Sequence, residues 1–215
     1  MQRLRYLIFS KRNFFIASLR TCRGPTISGA LKNTMDFGSA TEQRAKEFDD
    51  SKSIDSGLVS ESIMPHVLNM YGSRATAKDF EIYAPNATFE DPLMCAHGVK
   101  QIKSAFYSLP KLFSESRIVE YTLKAYATGT GTVEVLIDNK QHYKIFGKDV
   151  DLVSLIKLKM EQGKIIRHED CWDKKPLKNR ETVKLPFAGR LAEISRRGSM
   201  LITHALMGFG KDPSN

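Results

Sequence analysis

Residues 117–137 read RIVEYTLKAYATGTGTVEVLI, and the period of this stretch decides the fold. Val119, Tyr121, Leu123, Ala125 and Ala127 fall at every second position against polar neighbours. That is the two-residue period of a strand with one buried face. Gly129-Thr130-Gly131 turns the chain into a second run, Thr132–Ile145, with Asp138-Asn139 as the place for a bulge or break. Phe146-Gly147-Lys148 and Gln162-Gly163 punctuate two more strands, 149–160 and 164–173. Four strands joined by Gly-containing turns predict an antiparallel meander.

Upstream the period changes. Ile63, Val67, Met70 and Tyr71 follow helical spacing from about residue 60, with Pro65 in the first turn and Gly72 as the stop. Thr76-x-x-Asp79 is a capping pattern that predicts a second helix to about Tyr83, ahead of Pro85. A short strand is expected at Thr88–Glu90. Val99, Ile102, Phe106 and Leu109 then share one side of a third helix, ended by Pro110. The expected architecture is α+β: three N-terminal helices packed in a strongly curved antiparallel sheet.

The 215 residues carry a net charge of +9, and its distribution excludes a class of function. Residues 1–35 hold seven basic residues and no acid, 36–173 have a net charge of −4, and 174–215 one of +6. A nucleic-acid-binding domain places its basic stripe on the folded body, so none is expected here. Cys22, Cys95 and Cys171 are scattered and the histidines lack ligand spacing, so neither disulfides nor a metal site are predicted. No nucleotide motif is present, so no cofactor is implied.

The expected organisation has four parts. Residues 1–35, rich in Arg and free of acids, read as a transit peptide, mitochondrial ahead of plastid, or as a basic arm upstream of a start at Met35 in the cytosol. Residues 36–59 are a polar linker. Residues 60–173 form the domain, and 174–215 a basic tail. In that tail Leu191, Ile194, Leu201, Ile202 and Ala205 recur near helical spacing. Such a helix packs on its own domain, across a homodimer, or peripherally on a membrane. Arg196-Arg197-Gly198-Ser199 also has the form of a basophilic kinase site.

The chemistry concentrates in NATFEDPLMCAHG, residues 86–98. Phe89 and Asp91 point to one face of a strand that Pro92 ends, so a core-facing Phe89 carries Asp91 inward. A carboxylate there is either used or serves as a loop cap. On the last strand Ile166, His168, Asp170 and Trp172 share a face opposite Ile165, Arg167, Glu169 and Cys171. With the first set inward, Asp91, His168 and Asp170 form an acid–base group; with it outward, they are a solvated rim. Tyr71, Tyr83, Phe106 and Tyr107 complete the expected lining. His97 reads as a helix-entry residue.

The order of elements, with YAPNATFEDP (residues 83–92), HGVKQI (residues 97–102) and a last strand ending in Trp172, resembles the nuclear transport factor 2-like superfamily. Within it the pattern is similar to ketosteroid isomerase and SnoaL-like proteins. With the tail added, the chain resembles plant members. The resemblance implies a cone-shaped fold around an apolar pocket. It also implies that Asp91, in the place of the isomerase's Asp, is a general base acting alpha to a carbonyl. The isomerase's oxyanion donors, a Tyr and a protonated Asp, fall here on Val67 and Leu155, which cannot donate; Tyr71 lies one turn from Val67. The expected function is a small-molecule pocket protein for an apolar or carbonyl-containing ligand, with proton transfer by Asp91. The competing reading is a non-catalytic binding or dimerisation module with a filled cone.

Overall fold

The computed structural model describes residues 56–213 except 130, 180, 181 and 183–186. The transit-peptide reading and most of the linker fall outside these residues. The elements in order are α1 (Ser56–Tyr71), a 3-10 turn (Ala77–Phe80), β1 (Tyr83–Glu90), β2 (Cys95–His97), α2 (Val99–Tyr107) and the short α3 (Leu109–Leu112). The long strands β3 (Glu115–Gly129), β4 (Thr132–Ile145), β5 (Lys148–Glu161) and β6 (Lys164–Trp172) follow, then α4 (Ala188–Leu206).

The meander forms as its alternation requires. At the β4–β5 turn Phe146 and Gly147 both have positive φ, and at the β5–β6 turn so do Gln162 and Gly163. Two successive positive-φ residues give a turn whose twist suits a tight hairpin, and the glycine adopts one of them without strain. β4 runs unbroken through Asp138-Asn139, both paired to β5 at Leu155 and Ser154.

The sheet order is β2-β1-β6-β5-β4-β3. β1 lies parallel to β6, with Phe89 opposite His168, so the sheet is mixed rather than wholly antiparallel. The parallel pair is reached through the whole of the intervening meander, the long crossover such a pair needs. The helices are spread along the chain rather than gathered at its start.

Three local expectations change. α1 begins at Ser56, so Pro65 stands inside it and removes one internal amide donor. Asp79 accepts the Thr76 amide at 2.8 Å as the capping pattern predicts, but the turn closes after Phe80 and Tyr83 already belongs to β1. Tail residues 191, 194, 201 and 202 do not pack inward: Gly189, Arg196 and Met200 are the buried positions of α4.

Ile63, Val67, Met70 and Tyr71 of α1 and Ile102 and Phe106 of α2 pack on Val135, Ile137, Ile156, Leu158 and Ile165 of the sheet. Full burial of a large apolar side chain contributes about 1.5–3 kcal/mol. This core holds the candidate site.

Candidate functional site

β6 resolves which of its faces turns inward. His168 and Asp170 are buried, while Arg167 and Glu169 pair on the other side at 2.5 Å. A register shift between Lys159 and Met160 of β5, opposite Arg167 and Ile165, lets Ile165 be buried as well. Phe89 sits against His168, ring centroids 5.0 Å apart, and Phe106 lies 6.1 Å from the same ring.

His168 is held between two phenols. The Tyr83 hydroxyl lies 2.7 Å from Nδ1 and the Tyr71 hydroxyl 3.2 Å from Nε2. Burial takes the His168 pKa down to about 3, so the ring is neutral and has one N–H. Tyr71 donates to Asp170 Oδ2 at 3.1 Å. The proton arrangement that fits an ionised Asp170 is therefore Tyr83 to Nδ1, Nε2–H to Tyr71, and Tyr71 to Asp170. A proton taken up by Asp170 reverses the chain: Asp170 donates to Tyr71, Tyr71 to Nε2, and Nδ1–H to Tyr83, whose hydroxyl then turns to Met70 Sδ at 3.7 Å. This is a polar relay in an apolar core, where such chains polarise one another.

Asp170 is the hub. Besides Tyr71 it accepts the Trp172 indole N–H at 3.2 Å, the Gln141 amide at 3.5 Å and the Ser154 hydroxyl. Tyr143 donates to Gln141 Oε1 at 2.6 Å. Burial raises the Asp170 pKa, and the four donors oppose that rise. Burial foremost, and then the charge of Asp170, raise the Tyr71 and Tyr143 phenols well above their usual range. Asn139 Oδ1, on the same inner row of β4, is buried and has no partner, an acceptor open to a donor from water or ligand.

Asp91 stands at the rim of this cluster, partly exposed. Its Oδ1 accepts the Leu93 amide at 2.7 Å and the Met94 amide at 2.5 Å, so it does cap the loop. Its pKa is nevertheless pushed up to about 7: burial dominates, the charge of Asp170 adds to it, and the two amides and Arg196 pull the other way. The charge of Asp91 in turn raises Tyr143, which places Asp91, Tyr143 and Asp170 in one electrostatic group.

The structure thus brings together Asp91, His168, Asp170, Trp172, Tyr71, Tyr83 and Phe106. Tyr107 is not among them. It turns to Phe80 and to Asp212 at 2.8 Å, lining a separate cleft of about 390 Å3 with Ser73, Lys111 and Met207. Val67 is buried in the core. Leu155 faces away, because its neighbours Ser154 and Ile156 take the inward positions of β5. His97 is exposed at the end of β2. Sequence reasoning passed over Gln141, Ser154 and Tyr143. Their signal lies in β4, where Asn139, Gln141 and Tyr143 continue the inward row of Val135 and Ile137.

No group of His, Cys, Asp and Glu among the described residues has the arrangement of a metal site.

No family model matches the chain, and no curated protein matches it. Solved structures similar to it include proteins described as nuclear transport factor 2-like and as of ketosteroid isomerase-like fold. One is a nuclear transport factor 2-like protein from Anabaena variabilis, 13% identical, covering 54% of this chain and 88% of that one at a TM-score of 0.46. A hexachlorocyclohexane dehydrochlorinase of type 2 is 13% identical over 55% of this chain and 88% of its own, TM-score 0.46. A protein of ketosteroid isomerase-like fold from Catenulispora acidiphila, solved with trimethylamine, is 16% identical over 50% and 82%, TM-score 0.38.

Proposed function

We propose that this chain is a small-molecule pocket protein whose sheet and helices close a cone around Asp91, Tyr143 and Asp170, and that it moves a proton on an apolar, carbonyl-containing ligand. The observation that carries this reading is Asp91: a partly exposed carboxyl whose pKa is raised to about 7 beside a buried second carboxyl. A general base works best with a pKa near the working pH. Its carboxylate takes a proton from the carbon alpha to the carbonyl; the electron pair of that C–H bond becomes the C=C bond of the enolate, and the carbonyl π pair moves onto oxygen. The enolate oxygen then needs donors in a water-poor setting. Asp170, whose neutral form burial favours, supplies one such donor by turning its proton from Tyr71 to the enolate oxygen, while Tyr71 donates to His168. On a β,γ-unsaturated ligand Asp91 returns the proton to the gamma carbon as the oxygen pair re-forms the carbonyl, which shifts the double bond and completes an isomerisation.

Two measurements test the reading. Mass spectrometry of ligands retained by the purified chain should find a carbonyl compound, and in heavy water that compound should exchange its alpha protons for deuterium. Asp91→Asn should keep binding and lose the exchange. Exchange that persists in Asp91→Asn removes Asp91 as base. The second reading, a non-catalytic module with a filled cone, draws on the closed network at Asp170, whose donors are all internal. Retention of no small molecule would favour it.

Residues 1–35 are proposed to direct organellar import, mitochondrial ahead of plastid. A fusion of residues 1–40 to a fluorescent protein that stays diffuse in the cytosol would refute this.

A further inference from the structure

α4 docks by its polar side and leaves its apolar side in solvent. Arg196 donates to Glu90 Oε2 at 3.0 Å, Arg197 to the Cys95 carbonyl and Gln101 Oε1 at 2.7 and 2.6 Å, and Met200 is fully buried. On the opposite side Leu191 is 65% exposed, Ile194 66% and Ile202 63%, with Phe187 and Leu201 also exposed. Phe187, Leu191, Ile194, Gly198, Leu201 and Ala205 recur at alternating steps of four and three, the spacing of a seam that meets another helix.

We infer that this stripe is the contact surface for a second copy of the chain, paired antiparallel about a two-fold axis at Gly198. Three observations select that occupant. With the neighbouring Ile202 counted, four members of this face pair about Gly198: Ile194 and Ile202 each stand four residues away, Leu191 and Ala205 each seven, while Phe187 and Leu201 have no counterpart within α4. A two-fold contact requires this self-complementarity, and the antiparallel arrangement sets large Leu191 against small Ala205. Next, a Cβ built on Gly198 meets no atom within 4 Å, so the centre of the stripe is bare and a partner backbone can approach closely. Last, the charges do not suit an anionic membrane. Such a surface is held by several free cations flanking an apolar face, whereas Arg196 and Arg197 are bonded to the body on the far side and leave α4 one exposed Arg, Arg190.

The test uses the full chain. The unsubstituted protein should sediment as a dimer whose melting temperature rises with concentration, and Ile194→Lys, at an exposed position, should sediment as a monomer that melts cooperatively without that concentration dependence. Gly198→Cys should give a covalent dimer under copper–phenanthroline and dioxygen, which take up the two electrons as two thiols lose their hydrogens to form one disulfide. Leu191→Cys should not, because its symmetry mate lies about 21 Å away along the axis; the unsubstituted chain with its natural cysteines sets the background. Cross-linking of both variants alike means a parallel pair and overturns the two-fold arrangement. A dimer that survives Ile194→Lys places the interface elsewhere. A monomeric chain that melts lower with Ile194→Lys means its own N-terminal segment covers the stripe, and cosedimentation with phosphatidylserine vesicles, lost in that variant, means lipid does. Each of these overturns the inference.

Discussion

Tyr71 on α1 donates its hydroxyl to Asp170 on β6 over 3.1 Å, joining residues 99 apart in sequence. That bond ties the helix to the last strand and links the neutral His168 to the hub carboxyl. Tyr71→Phe keeps the ring and its edge contact with Phe106 but leaves buried polar atoms of both His168 and Asp170 with one partner fewer. The expected cost is about 1–3 kcal/mol. The Asp170 pKa should also rise further, since Tyr71 is among the donors that lower it. Tyr121→Phe, at an exposed position of β3, should change stability little. Urea unfolding of the three proteins checks this; equal midpoints for Tyr71→Phe and the unsubstituted chain would show that the relay is not coupled to the fold.

Asp91 and His168 pull stability in opposite directions with pH. The folded-state pKa of Asp91, about 7, lies above its ordinary value of 3.8. The fold therefore disfavours the carboxylate: the penalty is absent below pH 3.8, grows above it and is complete above pH 7. His168 falls from 6.5 to about 3. The fold disfavours the imidazolium, so this contribution is whole above pH 6.5 and is lost as pH falls toward 3. Between pH 3.8 and 6.5 the two slopes, each about 1.4 kcal/mol per pH unit, oppose each other. Asp91→Asn keeps an acceptor for the Leu93 and Met94 amides and removes one slope. The variant should melt higher at pH 8, by about 1–2 kcal/mol once solvent near the rim is allowed for. Its advantage should vanish near pH 4, with its own melting temperature falling over the same range. A variant that melts lower at pH 8 would make Asp91 a loop cap and nothing more.

The strands were legible because alternation and paired positive-φ turns are local signals. β1 was half hidden: Pro85 and Asn86 argue against a strand, yet both are exposed and lie where the ladder to β6 shifts register between Tyr83 and Thr88. Proline is tolerated at such irregularities. The polar residues of β4 carry no role that residue type alone reveals. The two-residue period carries Asn139, Gln141 and Tyr143 inward behind Val135 and Ile137, and bonds to Ile137, Ser154, Asp170 and one another offset the cost of burying them. α4 shows a third limit. Periodicity gives a helix two faces without saying which one docks, and here Glu90, on a strand distant in sequence, decides for the face of Arg196.

That ion pair makes the tail part of the domain and of the site. The Arg196 side chain is 5% exposed and that of Glu90 16%, and the guanidinium also reaches the Asp91 carbonyl at 3.4 Å. Arg196→Met retains the bulk and removes the charge. Glu90 is left with Arg167 at 3.5 Å, so the loss is expected to be smaller than for an isolated buried charge, about 1–3 kcal/mol at pH 7. Because the charge of Arg196 lowers the Asp91 pKa, the substitution should also move the Asp91 titration upward, visible by carbon-detected NMR of its carboxyl. Deleting residues 176–215 removes the same charge together with the buried Leu177 and Met200. A lost core methionine alone costs about 2–5 kcal/mol, so the truncated chain should melt well below the full one, and the domain is not complete at Asp173. A truncated chain with an unchanged melting temperature and an unmoved Asp91 titration would show that α4 rests on the domain without contributing to it.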